Sequence, residues 1–134
     1  MSVIVTDSGF SAEDWTGGFC PPNAVANDVC ALDIASDADP ADILLSPGLK
    51  MIRVDFPSSG DGRGFTIARH LRLRGFTGRL RARGHLISDQ YAMARRSGFD
   101  EVEISDELAA RQPEADWLFR ANWKDHDYQS RLRG

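Results

Sequence analysis

The chain has few of the residues that crosslink a protein or anchor it in a membrane. Only two of its 134 residues are cysteines, and two thiols cannot complete a tetrahedral zinc site by themselves. No apolar run approaches the roughly 20 residues that a membrane-spanning helix needs. The first residues also lack the basic stretch and apolar core of a signal peptide. These absences predict a cytoplasmic protein with reduced thiols. The 42% hydrophobic content and the length of the chain predict one compact domain with a hydrophobic core.

Lysine is scarce, although charge is not. The chain has 16 Lys and Arg against 20 Asp and Glu, a net charge of −4, and only Lys50 and Lys124 are lysines. Residues 1–60 carry 9 acidic and 2 basic side chains, 61–99 carry 2 and 9, and 100–134 carry 9 and 5. Arginine suits paired hydrogen bonds to carboxylates and oxyanions. The basic middle predicts ion pairs or an anion site, while the acidic total argues against nucleic acid as the partner.

Short apolar runs alternate with helical patterns along the middle of the chain. Four runs are predicted to be strands, at 29–34, 51–56, 79–83 and 101–104. A helix is predicted over 62–74, and Asp39, Ser88 and Ser105 are candidate caps of the other helices. A repeat of about 25 residues is typical of right-handed βαβ units. It predicts an α/β fold with about four parallel strands, built as a half barrel or a small open sheet.

The two ends of the chain lack this alternation of strand and helix patterns. Paired glycines and paired prolines within 17–22 interrupt any regular element, and residues 3–5 alone suggest a short edge strand. The end of the chain is polar and is expected to fray. We therefore expect an N-terminal arm at 1–28, a single α/β domain at 29–123 and a polar tail at 124–134.

Charged residues occupy every second position of three predicted strands. They are Arg53 and Asp55, then Arg79, Arg81 and Arg83, then Glu101 and Glu103. Successive strand residues point to opposite faces of a sheet, so we expect one charged face and one apolar face that the helices cover. The charged face is either a solvated ladder of compensating charges or a concave anion-binding or catalytic surface. The second alternative predicts that Asp33, Asp55 and Arg83 cluster where the strands end.

Two loops at the strand ends carry further candidates. Residues 60–65 hold three alternating glycines before a helix, a pattern that lets backbone approach an anion. The alternative is a tight turn in which Asp61 caps and Arg63 pairs with an acid. The Asp-Gln pair at 89–90 either orients a ligand or forms the first turn of a helix. His85 precedes it and can act as an acid or a base.

Five blocks in the middle of the chain match the pattern of one bacterial family. The blocks are V-D-F-P at 54–57, D-G-R-G-F-T-I-A-R-H-L-R at 61–72, G-F-T-G-R-L-R-A-R-G at 75–84, D-Q at 89–90 and R-S-G-F-D at 96–100. In order and spacing they resemble domain-of-unknown-function family 934, over about residues 51–104. The resemblance implies a site made of eight residues: Asp55, Asp61, Arg63, Arg69, Arg81, Gly84, Asp89 and Gln90.

The family is described as oxidoreductases or as accessory proteins of sulfite reduction, because its genes accompany those of sulfite reductase. The resemblance implies an accessory protein of sulfur assimilation that binds a small oxyanion or a partner enzyme such as sulfite reductase. Arg63, Arg69 and Arg81 would then be the donors. Ser97 stands where the family commonly has cysteine, which argues against an essential redox thiol there.

Two alternative functions come from other classes of protein. The first is an oxidoreductase with a bound cofactor, although the sequence has no cofactor fingerprint. The second is a homodimeric interaction module without catalysis, in which two half barrels meet across a two-fold axis.

Overall fold

The structure, a computed structural model, describes residues 2–16, 18–20, 30–43, 45 and 48–121. The strands are β1 (Ser2–Thr6), β2 (Gly9–Ser11), β3 (Ala31–Ile34), β4 (Met51–Phe56), β5 (Arg79–Gly84) and β6 (Glu101–Ser105). The helices are α1 (Arg63–Leu73), α2 (Tyr91–Ser97), α3 (Asp106–Arg111) and α4 (Glu114–Phe119). The 3-10 turns are Pro40–Asp42 and Ser88–Gln90. The predicted tail at 124–134 and residues 21–28 of the predicted arm lie outside the described residues.

These strands form one open sheet in the order β2-β1-β6-β5-β4-β3. β3 to β6 run parallel, and neighbours among them are consecutive along the chain. β1 and β2 form an antiparallel hairpin that adds to β6. The predicted α/β class with about four parallel strands is therefore confirmed, and the sheet is open rather than closed into a barrel.

The start of the predicted arm is built into this sheet. Residues 3–5 pair with residues 102–104 of β6. The predicted strand therefore exists, but it is not at the edge, because β2 pairs with its other side and occupies that position. The hydroxyl of Tyr91 in α2 donates to Asp7 in the hairpin turn at 2.5 Å. This bond and the complete burial of Val5 tie the hairpin to the core.

The helices pack on one face of the sheet, as the alternating strands predict. Phe56 of β4 meets Phe65 of α1 with ring centres 5.0 Å apart. Trp117 of α4 meets Tyr91 of α2 edge-on at 6.1 Å, and Leu108 of α3 belongs to the same core. Each fully buried aromatic or aliphatic side chain of this kind stabilises the fold by about 1.5–3 kcal/mol. The opposite face is left for the charged residues.

Ser105 caps a helix as predicted, whereas Asp39 caps only the 3-10 turn Pro40–Asp42 where a helix was expected. Asp39 accepts from the N–H two residues further on at 2.9 Å, and Ser105 accepts from the N–H three residues further on at 3.1 Å. Ser88 does not cap a helix, because its turn begins at Ile87. The Ser88 hydroxyl instead donates to the side-chain oxygen of Gln112 at 2.7 Å. It therefore ties the loop after β5 to the end of α3.

Candidate functional site

Eight charged side chains of β3 to β6 face away from the helices. We call them the charged ladder: Asp33, Arg53, Asp55, Arg79, Arg81, Arg83, Glu101 and Glu103. The strand register puts Asp33, Arg53, Arg81 and Glu101 in one row, and Asp55, Arg83 and Glu103 in the next. The predicted face with arginine beside aspartate and glutamate is therefore confirmed.

Arg53 and Arg79 are held by direct hydrogen bonds to carboxylates. Arg53 donates to Asp33 at 2.6 Å and to Glu103 at 3.1 Å. Arg79 donates to Glu101 at 2.6 Å. Burial acts to lower the pKa of Arg53, but the Asp33 and Glu103 carboxylates outweigh it and raise that pKa. Both arginines are therefore bound within the protein.

Arg81 is the most enclosed charge of the ladder. Its side chain is 0% exposed, and its Nε donates to Glu101 at 2.5 Å. One terminal nitrogen donates to Glu103 at 2.9 Å, and both terminal nitrogens bond to the Glu13 carboxylate. Burial acts to lower the pKa of Arg81, but the carboxylates raise it. Arg81 was expected to donate to a ligand, yet every one of its side-chain nitrogens is occupied by a carboxylate of the protein.

An irregular segment crosses the charged face from one edge of the sheet to the other. We call residues 12–20 the strap; Gly17 within it is not among the described residues. The strap leaves the sheet after β2, and its last residue, Cys20, pairs with the outer side of β3 at the opposite edge. The Arg53 guanidinium lies 3.8 Å from the centre of the Phe19 ring. This contact has the geometry of a cation–π interaction and holds the strap against the ladder.

Two carboxylates of the strap face the ladder arginines. Asp14 accepts from Arg79 at 2.9 Å, and Glu13 accepts from both terminal nitrogens of Arg81. The hydrogen bond from Arg79 lowers the pKa of Asp14. Burial acts to raise the pKa of Glu13, but the bonds from Arg81 and from the Trp15 N–H lower it. The strap is therefore a charged cover, and its acidity complements the arginines beneath it.

Arg83 is the most exposed of the ladder arginines. Its side chain is 47% exposed, and its nitrogens lie 3.4 Å from Glu103 and 3.8 Å from Asp55. Within the described residues these two ion pairs are its contacts with carboxylates, and both are longer than the hydrogen bonds that hold Arg81. Arg83 precedes the last residue of β5, where parallel sheets place their ligands.

A cavity of about 460 Å³ lies on one side of Arg83. Asp33, Asp55, Phe19 and Cys20 also line it. The predicted cluster of Asp33, Asp55 and Arg83 is therefore confirmed. Its wall combines two carboxylates, one guanidinium, an aromatic ring and the Cys20 thiol.

A larger cavity, of about 830 Å³, lies on the other side of Arg83, over the ends of β4, β5 and β6. His85 and Arg111 line it, and both residues are exposed. Glu107 adds a carboxylate. Gly84 lines it as well, with a φ of +126°, and a Cβ there would collide with the carbonyl of Phe56. Glycine therefore allows the chain to turn out of β5 directly under the cavity.

Asp61 and Arg63 pair with each other in the loop before α1. Arg63 donates to Asp61 at 2.8 Å, and its backbone N–H donates to the same carboxylate at 3.1 Å. These bonds lower the pKa of Asp61. Arg63 also donates to the hydroxyl of Ser36 at 3.0 Å, which joins the loops after β3 and β4. The arrangement is the tight-turn alternative, because Arg63 pairs with an acid. The N-cap of α1 is Gly62 rather than the expected Asp61, which lies one residue earlier and accepts from the Arg63 N–H.

The remaining implied residues lie apart from the two cavities at Arg83. Gln90 donates to the carbonyl of Ser59 at 2.6 Å and accepts from a backbone N–H of its own turn at 3.0 Å. It therefore joins the loops after β4 and β5. Asp89 is exposed and pairs with Arg120 at 2.9 Å. Arg69 is exposed on α1, and no described side chain forms an ion pair with it.

The large cavity beside Arg83 is lined by residues of which only some belong to the eight that the family resemblance implied. Asp55 and Gly84 belong to that set and line the large cavity. Arg83 and His85 were noted from their positions near the end of a strand. Arg111 was missed, because the end of a short polar helix carries no sequence signal. Because β6 is parallel to β4 and β5, the helix that follows it starts at the same carboxyl ends of the strands, and this is visible only in the folded structure.

Neither a three-ligand metal cluster nor a membrane-spanning helix is found among the described residues. No three of its His, Cys, Asp or Glu side chains come together in a way that could hold a metal ion. No helix in this part is long and apolar enough to cross a membrane. The candidate site consists of the charged and polar groups around Arg83.

Comparison with known proteins identifies the family without adding an activity. Neither the curated proteins nor the solved structures include a significant match to this chain. One family model matches residues 31–133, which covers β3 to β6 and α1 to α4. The chain therefore belongs to DUF934, a family described as bacterial protein of unknown function.

Proposed function

We propose that the protein is a cytoplasmic accessory protein of sulfite reduction that binds a small oxyanion through Arg83. The geometry at the carboxyl ends of the parallel strands supports binding of an oxyanion. The connection with sulfite reduction rests on the family resemblance, since the genes of such proteins accompany those of sulfite reductase. Sulfite reductase or another enzyme of sulfur assimilation is the proposed partner.

The observation that carries the oxyanion is the difference between Arg83 and the other ladder arginines. Arg53, Arg79 and Arg81 each donate directly to carboxylates of the protein. Arg83 is 47% exposed, and its carboxylate contacts are 3.4 Å and 3.8 Å long. A guanidinium fixed on a strand with donors still available is suited to bidentate binding of a planar or tetrahedral oxyanion.

The surroundings of Arg83 support the same ligand. His85 and Arg111 line the large cavity and are exposed, so both can donate to an anion held by Arg83. Asp55 and Glu103 flank Arg83 and hold its side chain near the cavity. Nearby carboxylates weaken the attraction for anions, so we expect modest affinity and selectivity for small ligands.

The test is thermal unfolding in the presence of sodium sulfate, sulfite or phosphate, with sodium chloride at equal ionic strength as the reference. A ligand at 100 times its Kd stabilises a protein by about 2.7 kcal/mol. We expect at least one oxyanion to raise Tm by several degrees, and Arg83→Ala to abolish the increase. Lys50→Ala is the matched control. It also removes one cation, but Lys50 precedes β4 at the amino ends of the parallel strands, away from Arg83.

Two results would contradict this function. The first is that no oxyanion raises Tm above the chloride reference, and the second is that Arg83→Ala keeps the full increase. The partner is tested separately by purifying the tagged full chain from its native host. Recovery of sulfite reductase or its electron donor supports the accessory role. Flavin or iron–sulfur absorption in the purified chain would instead favour the oxidoreductase alternative.

A further inference from the structure

Four cavities follow one another along the carboxyl ends of the strands, and neighbouring cavities share wall residues. The cavity of about 460 Å³ and the cavity of about 830 Å³ share Asp55 and Arg83. The larger one shares His85 and Arg111 with a third cavity, of about 370 Å³. The third shares Gln112 with a fourth, of about 350 Å³. We call this series the carboxyl-edge groove.

This groove is larger than a small oxyanion needs. Sites for drug-sized ligands measure about 300–1,000 Å³, and the central cavity alone reaches about 830 Å³. A tetrahedral anion on Arg83 would fill a small part of it. The groove therefore has room for a longer ligand that places one anionic group at Arg83.

Charged residues line the groove at its centre and at its Phe119 end, and the Phe119 end adds exposed apolar surface. Arg83 and Arg111 supply cationic groups at the centre. The carboxylates of Asp55, Glu103 and Glu107 line the same cavity. Phe119 lines the fourth cavity and is 72% exposed, and its neighbour Leu118 is 43% exposed. Exposed aromatic side chains beside a pocket are common anchors of protein–protein contacts. The matching ligand has an acidic group in its middle and an apolar group toward Phe119.

The strap shows that a chain segment of this chemistry fits the same face. Its Glu13 carboxylate bonds to Arg81, one alternate position before Arg83 on the same strand. The ring of Phe19 packs on Arg53 at 3.8 Å. One irregular segment thus supplies an acid and an aromatic group to neighbouring ladder arginines, and Arg83 is the next arginine in the series.

We propose that the carboxyl-edge groove binds a peptide segment of a partner protein, with an Asp or Glu side chain of that segment on Arg83 and an apolar side chain against Phe119. The inference rests on the proposed anion site at Arg83. It goes further in two ways. The anionic group belongs to a polypeptide, and an apolar side chain of that polypeptide contacts Phe119, which a free anion would not reach.

The probe is an array of labelled nonapeptides, each with a central Asp and one Leu at a varied position. The matched array replaces Asp with Asn. We expect some Asp peptides to bind the full chain with a Kd below 1 mM, which corresponds to about −4 kcal/mol, and the Asn peptides to bind at least about tenfold more weakly. Arg83→Ala and Phe119→Ala should each weaken binding by about tenfold, and Lys50→Ala should leave it unchanged.

Sulfate separates this inference from the function on which it rests. Phe119→Ala should keep the full increase of Tm in sulfate, because Phe119 does not line either cavity at Arg83. A sulfate response without binding of any Asp peptide would overturn the peptide groove and leave the oxyanion site standing. Peptide binding without a sulfate response would support the groove and contradict the oxyanion function. Peptide binding that Phe119→Ala does not weaken would overturn the inference.

Discussion

Arg81 and Arg83 lie two residues apart on the same strand and point to the same face, yet their surroundings differ. Arg81 is 0% exposed and bonds to three glutamates, whereas Arg83 is 47% exposed and has looser ion pairs. The cause is the strap, whose Glu13 covers Arg81, together with the position of Arg83 near the end of β5. The same alternating pattern therefore produces a structural charge at one position and an accessible one at the next.

The largest expected effect is the loss of the enclosed charge. Arg81→Leu removes the hydrogen bonds that Arg81 donates to the buried Glu101 and Glu103, which should lower the free energy of unfolding by about 3–5 kcal/mol. Arg83→Leu should change it by less than about 1 kcal/mol, since exposed ion pairs contribute little. Urea unfolding of both variants measures the difference. Equal effects would mean that the two arginines have similar surroundings.

The strap can be tested without removing an arginine. Glu13→Gln keeps the size of the side chain but replaces the carboxylate that bonds to Arg81. We expect the free energy of unfolding to fall by about 1–2 kcal/mol, the range for a partly exposed, charge-assisted pair. Asp14→Asn is the control in the same strap, because Asp14 is 67% exposed, and it should cost less than about 0.5 kcal/mol. A larger loss for Asp14 than for Glu13 would contradict the described contact.

The strap also predicts a dependence of stability on pH. The pKa of Glu13 is lowered from its ordinary 4.5 in the folded protein. Its contribution is therefore fully present above about pH 4.5 and is lost as the pH falls through the lowered pKa. The Tm difference between the wild type and Glu13→Gln should shrink steadily from pH 5 to pH 3. A Tm difference that grows in acid would show that folding raises the pKa of Glu13 instead of lowering it.

The smallest expected effect concerns the open end of the ladder. Asp55 lies 3.8 Å from Arg83 and competes with an anion for it. Two charges 4 Å apart interact by about 1 kcal/mol in water, so Asp55→Asn should tighten sulfate binding by about fivefold. Stability without sulfate should change by less than about 0.5 kcal/mol. Asp42→Asn, an exposed residue outside the four cavities, is the control for total charge. Weaker sulfate binding in Asp55→Asn would count against Arg83 as the anion donor.

Much of the fold could be predicted from local patterns. β4 has the predicted bounds of 51–56, and the caps at Asp39 and Ser105 follow from residue type and position. The alternation of charge correctly predicted the charged ladder. These features depend on neighbours within one element, where period and capping are visible in the sequence.

The strap and the difference between the arginines could not be predicted in this way. Glu13 meets Arg81 across 68 positions of the chain, and residues 12–20 have no periodicity that indicates a cover. Arg79, Arg81 and Arg83 occupy equivalent alternate positions, so no local rule distinguishes the buried one. The eight implied site residues were transferred by pattern, and patterns do not separate Gln90, which joins two loops, from Asp55, which lines the cavity.

The most direct test of this account is an NMR titration of the arginine Nε–H resonances with sodium sulfate. The Nε–H of Arg81 donates to Glu101 inside the protein. It should exchange slowly with water and keep its chemical shift throughout the titration, while the Nε–H of Arg83 should shift in a saturable way. Assignment by Arg83→Lys, which removes one resonance, makes the comparison unambiguous. A shift of Arg81 with no response of Arg83 would contradict the division of the ladder into an enclosed and an anion-binding arginine.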